Sequence, residues 1–581
     1  MRILLRLIVF ARKYWGWLLL AFVCMIATTA FTLAIPRILG EAIDTVLGSG
    51  ERSLLIWAAV AVLVASALRG ISAFGHNYLS EVISQKTSYD IRNVLYTRLQ
   101  RLSFAYHDKS QTGQLMSRAT VDVEAVRMFF GRGLLGSIQM CILFVGVSCL
   151  LLLMDWKLAL LTLVFLPVIG FLAVSVSRRL LPVWLKIQET LATLGTTLEE
   201  SLTGVRIVKA FSHQKEESQK FSAQATVLYD EQIDAARQMA RNMPLMVFLV
   251  SLPTALTLWY GGRQVIDGTL TIGNLTQFIL YLGMLAWPIR RLGFLANLLS
   301  RTVSAGQRIL EILDAESAVQ EKPNAIELGS VKGEVCFEDV SFSYNSMAPA
   351  LNNINFSVQP GELVALVGDS GSGKSTIANL IPRFYDTSSG RISIDGIDIR
   401  DVTMASLRKN VVTAQQDVFL FSATIRDNIA YGAVNADMEQ IMAAAKAAYL
   451  HDFIQSLPDG YNTWVGERGI TLSGGEKQRL VIARTLLVNP SILILDDSTS
   501  SVDAETEQLI RDALNKLIKG RTTFIITHRL PIIKNADLIL MLKEGQIVER
   551  GRHNELMARN DLYRQIYQSQ LSTTQDSGEN F

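Results

Sequence analysis

A glycine-rich loop between an apolar run and a helical pattern carries the clearest chemistry in this sequence. The run Leu363–Gly368 has the pattern of a buried strand. Backbone amides in such a loop close around phosphate groups, and the N-terminus of the following helix adds a favourable dipole. We expect Lys374 to reach the β- and γ-phosphates of a nucleotide and the Ser375 hydroxyl to reach Mg²⁺. The predicted ATP-binding residues of this loop are Gly368, Asp369, Ser370, Gly371, Ser372, Gly373, Lys374, Ser375 and Thr376.

A phosphate-binding loop of this type needs a metal-anchoring carboxylate on a neighbouring strand. Asp496 follows four aliphatic residues, Ile492–Leu495, that have the pattern of a buried strand. A doubly wound sheet places its ligands at the carboxyl ends of its strands. Asp496 is therefore the predicted Mg²⁺ anchor, although Asp496 and Asp497 read alone are also compatible with an acidic pair that caps the next helix.

A third segment, Leu472-Ser473-Gly474-Gly475-Glu476, lies 20 residues before Asp496 and precedes a helical run. With this spacing the sequence resembles the ATP-binding cassette (ABC) transporters. Ser473 and the glycine amides at a helix start form a second anion-binding surface. The resemblance implies that this surface closes over the γ-phosphate bound by the opposite subunit, so that two cassettes pair head to tail around two ATP molecules.

The other motifs of the family follow in order, and their roles are carried over by resemblance. Tyr344 resembles the aromatic residue that stacks on adenine, with a core strand aromatic as the alternative. Gln416 resembles the glutamine that senses Mg²⁺ and the lytic water, and His528 the histidine that contacts the γ-phosphate. The segment 463–469 resembles the stretch of exporter cassettes that touches the cytoplasmic loop tips. The remaining residues carried over are Ser501 and Asp503 for communication across the dimer, and Glu467, Arg468, His107 and His213 for coupling.

The residue after Asp496 departs from the family pattern. The family has a glutamate there as general base, whereas this sequence has Asp497, which is one methylene shorter. A displacement of about 1 Å at a catalytic group can lower a rate on the order of 100-fold. The segment 472–476, which we call the signature segment, is intact. In combining it with Asp497, the chain resembles the weak-hydrolysis subunit of heterodimeric bacterial multidrug exporters. A homodimer in which Asp497 is an adequate base is the alternative.

The first half of the chain contains five uncharged stretches of 20 or more residues and a sixth interrupted only by Arg69. About 20 apolar residues suffice for a helix to cross a bilayer. Six such runs in one half of a chain argue against buried core helices. The predicted spans cover residues 14–36, 53–80, 133–154, 158–177, 242–262 and 268–289.

Lysine and arginine are concentrated before the first span and in the stretches 80–132 and 178–241. Basic loops remain on the cytoplasmic side, so both termini are predicted to be cytoplasmic. The resemblance to bacterial exporters implies that the membrane is a bacterial inner or cell membrane. Ile91, Leu95 and Leu99 recur at helical spacing. The membrane helices are therefore expected to continue into the cytoplasm and return.

The chain changes character after residue 315. Residues 316–332 are polar, with Pro323 and Gly329, as is typical of a linker, and strand and helix patterns alternate afterwards. The predicted fold is a membrane α-helical domain of six transmembrane helices with long cytoplasmic extensions, fused to a C-terminal α/β P-loop ABC nucleotide-binding domain. The predicted domain boundaries are 1–315 for the transmembrane domain, 316–332 for the linker, 333–571 for the nucleotide-binding domain and 572–581 for a disordered tail.

The composition fits a chain that is part membrane protein and part soluble domain. Hydrophobic residues make up 49% of the 581 residues and charged residues 19%, and the net charge is +2. That charge is too small for nucleic-acid binding to be the main function. The four cysteines have no spacing that indicates a metal site or a disulfide framework.

Spans three to six contain almost no ionisable residue, which favours a hydrophobic or amphipathic cargo such as a drug or a lipid. The predicted function is ATP-driven export by alternating access, with ATP and Mg²⁺ as cofactors. The predicted partners are a second half-transporter, the cargo and the lipid bilayer. The alternatives are an ATP-driven importer on an exporter fold, for example for metal chelates, and a nucleotide-gated channel or regulatory module.

Overall fold

The chain divides into two compact units in the computed structural model. The helical unit comprises Met1–Gln100 and Thr112–Ala315, and the cassette unit comprises Arg101–Gln111 and Glu316–Phe581. The residues that the structure describes are 2–49, 52–344, 349–414, 418–433, 435–466, 472–496, 504–527, 530–559 and 561–568.

Long helices account for nearly all of the helical unit. Three π-helical turns, Arg118–Asp122, Phe129–Leu134 and Thr257–Gly261, continue α-helices without a break. In chain order, the α-helices up to residue 314 are α1 (Arg2–Arg12), α2 (Trp15–Ser49), α3 (Arg52–Arg101), α4 (Phe104–Lys109), α5 (Thr112–Ser117), α6 (Val123–Met128), α7 (Leu135–Met154), α8 (Trp156–Leu163), α9 (Phe165–Thr203), α10 (Val205–Ala210), α11 (Gln214–Leu256), α12 (Gly262–Ile266) and α13 (Ile272–Asp314).

Five described helical stretches are long and apolar enough to cross a membrane, and the shorter apolar stretch Ile272–Ala286 opens α13. The six predicted spans fall on these six stretches. At about 1.5 Å per residue, the 50 residues of α3 extend over roughly 75 Å, well beyond the roughly 30 Å of a hydrocarbon core. The five long stretches are Trp15–Val46, Leu55–Arg101, Thr112–Met154, Trp156–Thr203 and Gln214–Ile266.

Ion pairs connect the extended parts of these helices. The buried carboxylate of Asp122 accepts two hydrogen bonds from Arg308 of α13, at 2.5 and 2.8 Å. Arg127 bonds to Glu81 of α3 at 2.5 Å and to Glu124 of α6 at 2.6 Å. Because removal of one partner leaves an unpaired charge in a partly dry environment, such pairs specify how the helices are aligned.

Helices α2 and α13 approach each other so closely that only glycine fits at the contact. A Cβ atom on Gly273 would lie 2.0 Å from the carbonyl oxygen of Gly40. The Asp44 carboxylate accepts a hydrogen bond from the Gly273 amide at 2.7 Å and another from the Thr271 hydroxyl at 2.5 Å. Two backbones are therefore in direct contact here, and the Asp44 carboxylate satisfies one of the N-terminal amide donors of α13, while the Thr271 hydroxyl accepts from another, that of Asn274.

The cassette unit is built on a six-stranded sheet of order β12-β11-β3-β10-β9-β6, in which β12 alone is antiparallel to its neighbour. Its central strands are apolar because both faces are covered. The strands are β1 (Val335–Phe342), β2 (Leu351–Val358), β3 (Leu363–Val367), β4 (Ser389–Ile394), β5 (Ile397–Asp398), β6 (Val411–Ala414), β7 (Ala423–Thr424), β8 (Trp464–Val465), β9 (Ile492–Asp496), β10 (Thr522–Ile526), β11 (Leu538–Lys543) and β12 (Gln546–Gly551).

An antiparallel sheet of order β2-β1-β4-β5 and the two-stranded ribbon β7-β8 complete the strands of this unit. The helices that follow the linker are α14 (Lys374–Leu380), α15 (Met404–Asn410), α16 (Ile425–Ile429), α17 (Met438–Ala447), α18 (His451–Ser456), α19 (Gly474–Val488), α20 (Ala504–Ile518), α21 (Leu530–Lys534) and α22 (His553–Arg559).

The predicted linker is held firmly on the cassette. Residues 316–332, all of them described, form no helix and only one isolated bridge, between Ile326 and Val402. The Asp395 carboxylate accepts hydrogen bonds from three successive backbone amides, those of residues 332–334, at 2.7–3.1 Å. The linker therefore packs as part of the cassette unit. The predicted domain boundaries remain predictions, and the predicted tail 572–581 lies outside the described residues.

We expect Gly273→Ala to destabilise the helical unit by about 1–3 kcal/mol, because the new methyl group overlaps the carbonyl oxygen of Gly40. Gly283→Ala in the same helix is the matched control, since a Cβ atom there meets no atom within 4 Å. Thermal unfolding of the purified full-length chain in one detergent compares the two variants. Equal unfolding temperatures would contradict the close contact.

Candidate functional site

The glycine-rich loop joins the central strand β3 to α14 in a conformation that requires glycine at two positions. Gly368 has φ 149°, and a Cβ atom on it would lie 2.2 Å from the carbonyl oxygen of Leu542. Gly373 has φ 107°, and its Cβ atom would lie 2.7 Å from the Leu351 side chain. Both glycines therefore let the loop turn tightly against its neighbours, as a phosphate-binding loop requires.

The Lys374 side chain is buried inside this loop. Its ammonium group donates hydrogen bonds to the carbonyl oxygens of Gly368 at 2.8 Å and Asp369 at 2.7 Å. Burial lowers the pKa of Lys374, while the carboxylates of Asp369 and Asp496 act in the opposite direction. A positive charge enclosed by neutral carbonyl groups is only partly compensated, so an anionic phosphate is the partner that this position favours.

The strands that precede the predicted catalytic segments all end at one edge of the sheet. Strand β10 lies between β3 and β9, and its Ile526 is aligned with both Leu366 and Asp496. Strand β6 pairs in parallel with β9 on the other side. The strands that precede Gln416, Asp497 and His528 in the chain therefore end at the same edge of the sheet as β3, which leads into the P-loop.

Not all predicted site residues fall in the part of the chain that the structure describes. The residues outside it are Gln416, Glu467, Arg468, Asp497, Ser501, Asp503 and His528, and their roles remain predictions.

The oxygen donors near the loop fit a magnesium ion. Ser375 is exposed in the first turn of α14, and Asp496 is partly exposed at the end of β9. Mg²⁺ prefers oxygen ligands and is commonly held by one or two protein groups together with substrate phosphates. Ser375 and Asp496 are therefore suited to hold Mg²⁺ next to a bound nucleotide, where the ion would neutralise phosphate charge.

Tyr344 lies beside the P-loop helix with 43% of its surface exposed. Its hydroxyl donates a hydrogen bond to Thr376 at 3.3 Å. Its ring meets Phe342 at 4.8 Å and Tyr385 at 5.1 Å, both edge to face. These contacts fix the ring while leaving part of it accessible, which suits an aromatic that receives a planar base.

The signature segment begins helix α19 with a reciprocal cap. The Ser473 hydroxyl accepts a hydrogen bond from the Glu476 amide at 3.4 Å, and the Glu476 carboxylate accepts one from the Ser473 amide at 2.7 Å. Gly475 has a packing role that the sequence did not reveal, since a Cβ atom there would lie 2.2 Å from the Thr506 methyl group of α20. The contact fixes the signature helix against the helix that follows Asp503.

The short helix α4 contacts the cassette through residues that the sequence analysis did not identify. Phe104 stacks on Phe384 with ring centroids 4.2 Å apart, and the Tyr385 hydroxyl donates a hydrogen bond to Asp108. The predicted coupling residue His107 lies on the same helix and is exposed. The sequence signal for this contact was the adjacent aromatic pair Phe384 and Tyr385, which lies shortly after the P-loop helix.

The second predicted coupling histidine, His213, is the N-cap residue of α11 in the helical unit. Its Nδ1 atom lies 3.6 Å from a carboxylate oxygen of Glu216 in the first turn of that helix. Trp464, in the segment 463–469, is exposed on the β7-β8 ribbon and donates a hydrogen bond to Ser422 at 3.2 Å. The coupling roles of this segment and of His213 remain predictions.

We expect Lys374→Ala to weaken ATP binding at least about 100-fold, because it removes the buried cation of the phosphate loop. Equilibrium binding of a fluorescent ATP analogue to the full-length chain measures this effect. Lys409→Ala removes an exposed lysine of the same unit and is the control. Equal affinities in the two variants would contradict the assignment of the P-loop.

We expect Gly475→Ala to destabilise the cassette unit by about 1–3 kcal/mol through its overlap with the Thr506 methyl group. The double variant Gly475→Ala/Thr506→Ser removes that methyl group and keeps the hydroxyl, so it should recover most of the loss. Thermal unfolding of both variants and of Thr506→Ser alone tests the contact. Failure of the second substitution to restore stability would place the damage elsewhere.

Comparison with known proteins agrees with both units. The family model for the ABC transporter transmembrane region matches residues 18–289, and the ABC transporter model matches residues 351–500. An ATP-dependent lipid A-core flippase of Syntrophus aciditrophicus (strain SB) is 37% identical over 571 residues, covering 98% of this chain and 95% of the relative. The putative multidrug export ATP-binding/permease protein YgaD of Bacillus subtilis (strain 168) is 36% identical over 575 residues, covering 98% and 99%.

A solved structure is also similar over nearly the whole chain. The structure of a bacterial Atm1-family ABC exporter with ATP bound matches with a TM-score of 0.80 and 31% identity, covering 96% of this chain and 98% of that one. The predicted family, fold class and ATPase activity are confirmed. The chain belongs to the ABC transporters, as an exporter half-transporter whose cassette hydrolyses ATP in a reaction coupled to transport.

Proposed function

We propose that this exporter moves hydrophobic or amphipathic compounds, drugs or lipids, out across the bacterial inner or cell membrane by alternating access. The observation that carries the proposal is a P-loop with a buried Lys374 on the same chain as five long apolar helices. Many large apolar side chains of these helices are exposed, including Trp57, Leu63 and Phe74 of α3. The names of the two relatives, a lipid flippase and a multidrug exporter, suggest the two classes of cargo to test.

In this proposal each predicted site residue of the cassette has its own role. The P-loop amides and Lys374 bind the phosphates, Tyr344 stacks on adenine, and Ser375, Asp496 and Gln416 hold or sense Mg²⁺. His528 contacts the γ-phosphate. The signature residues 472–476 and the loop with Ser501 and Asp503 act on the nucleotide of the partner subunit, and both chain termini lie in the cytoplasm.

Transport by everted membrane vesicles tests the direction and the cargo. ATP-dependent accumulation of a lipophilic dye or a fluorescent phospholipid inside everted vesicles, absent with Lys374→Ala, is the expected result for an exporter. ATP-dependent loss from preloaded everted vesicles would indicate an importer. Nucleotide-gated conductance in a planar bilayer without accumulation would indicate a channel.

We further propose that the partner is a different half-transporter. The support is Asp497, because its carboxylate is one methylene further from the position of the family's glutamate. A weak base in one site and an intact signature lent to the other would make a pair in which one ATP is hydrolysed and the other is held. A homodimer with Asp497 as a sufficient base is the competing assembly.

We expect the chain purified alone to bind ATP but to hydrolyse it slowly, and Asp497→Glu to raise the turnover by about tenfold or more because the carboxylate regains its reach. Steady-state ATPase activity, with Lys374→Ala as the background, measures this. The Asp496→Asn variant should show no turnover with either residue at position 497. Fast turnover by the unaltered chain, with no gain from Asp497→Glu, would favour the homodimer.

A further inference from the structure

The ring of Tyr344 is held from several sides by residues of the cassette unit. Phe342 and Tyr385 both meet it edge to face, at angles of 84° and 85°. Its hydroxyl is fixed to Thr376 in the first turn of the P-loop helix. The orientation of the ring therefore depends on where the ring of Tyr385 is.

Tyr385 is in turn anchored to helix α4. Its hydroxyl donates a hydrogen bond to the Asp108 carboxylate, which is exposed on that helix. Burial raises the pKa of Tyr385, and the hydrogen bond to Asp108 raises it further, so the hydroxyl is a permanent donor at neutral pH. A hydrogen bond to an ionised acceptor is among the stronger polar contacts in proteins.

The segment that carries Tyr385 is held in place by Arg408 of the cassette unit. Arg408 donates hydrogen bonds to the carbonyl oxygens of Pro382 and Arg383, at 3.3 and 3.1 Å. The guanidinium of Arg408 lies 5.3 Å from the centre of the Phe384 ring, which also stacks on Phe104 of α4. Residues 382–385 are therefore supported by Arg408 on one side and by α4 on the other, so loss of the α4 contacts removes the stacking partner of Phe384 and the hydrogen-bond acceptor of Tyr385.

We propose that Tyr385 is a positioning residue for ATP. Contact between helix α4 and the cassette, made through the hydrogen bond of Tyr385 to Asp108, holds Tyr385 in place, and Tyr385 in turn orients the ring of Tyr344 that stacks on adenine. The inference rests on the proposed role of Tyr344. Coupling between two sites is reciprocal. Contact of α4 with the cassette therefore raises the affinity for the adenine group, and ATP binding strengthens that contact by the same factor. The triphosphate contacts of Lys374 take no part in this link.

The test compares ATP with inorganic tripolyphosphate, which occupies the P-loop but has no base to stack. Equilibrium competition against a fluorescent ATP analogue, on the full-length chain in lipid nanodiscs, gives both dissociation constants. The variants are Tyr385→Phe, which keeps the ring and removes the hydroxyl, Asp108→Ala, and the double variant. Tyr431→Phe, an exposed tyrosine whose ring stacks on Phe421, is the control.

We expect Tyr385→Phe to weaken ATP binding about three- to tenfold, the range for loss of one ordinary hydrogen bond, with tripolyphosphate unchanged. Asp108→Ala should have the same effect. The double variant should be no weaker than either single variant, because both remove the same interaction. Tyr431→Phe should bind both ligands as the unaltered chain does.

Two results overturn the inference alone. One is an unchanged preference for ATP over tripolyphosphate in Tyr385→Phe while Tyr344→Ala loses that preference. The other is an equal weakening of both ligands, because Tyr385 would then only support the fold. If Tyr344→Ala keeps its preference for ATP, the proposed stacking role fails first and the inference falls with it.

Discussion

The enclosed positive charge of Lys374 is the interaction on which the cassette depends. Its ammonium group is buried and donates hydrogen bonds to two backbone carbonyl groups, while the carboxylates of Asp369 and Asp496 favour its charged form. The loop glycines let the loop close around this charge, and the parallel strands β10 and β9 bring Asp496 to the same edge of the sheet. An anionic triphosphate is therefore the ligand that this buried cation favours.

The membrane part obeys a different constraint, which is length. In the parts of the helices that continue beyond the bilayer, buried apolar residues such as Ile91, Leu95 and Val126 form the core, and charged contacts add to it in fixing the alignment. Two ion pairs provide these charged contacts, one between Arg308 and the buried Asp122 and the other between Arg127 and Glu81.

Sequence reasoning predicted the family, the fold class and the P-loop because each depends on local pattern. The need for glycine at position 368 follows from a loop that closes on phosphate. The contact of Tyr385 with Asp108 joins residues 277 positions apart, and no local pattern specifies such a pair. The overlap that reserves position 475 for glycine likewise depends on how α19 meets Thr506. Gln416, Asp497 and His528 remain predictions from motif order.

The contact between Gly40 and Gly273 has a consequence for how the membrane helices move. Attraction between packed atoms fades within about an ångström, so two backbones that touch cannot separate gradually without losing nearly all of it. Asp44 would lose its two donors over the same short distance. Separating α2 from α13 at this end therefore costs both contacts over a short displacement, which makes gradual opening unfavourable there.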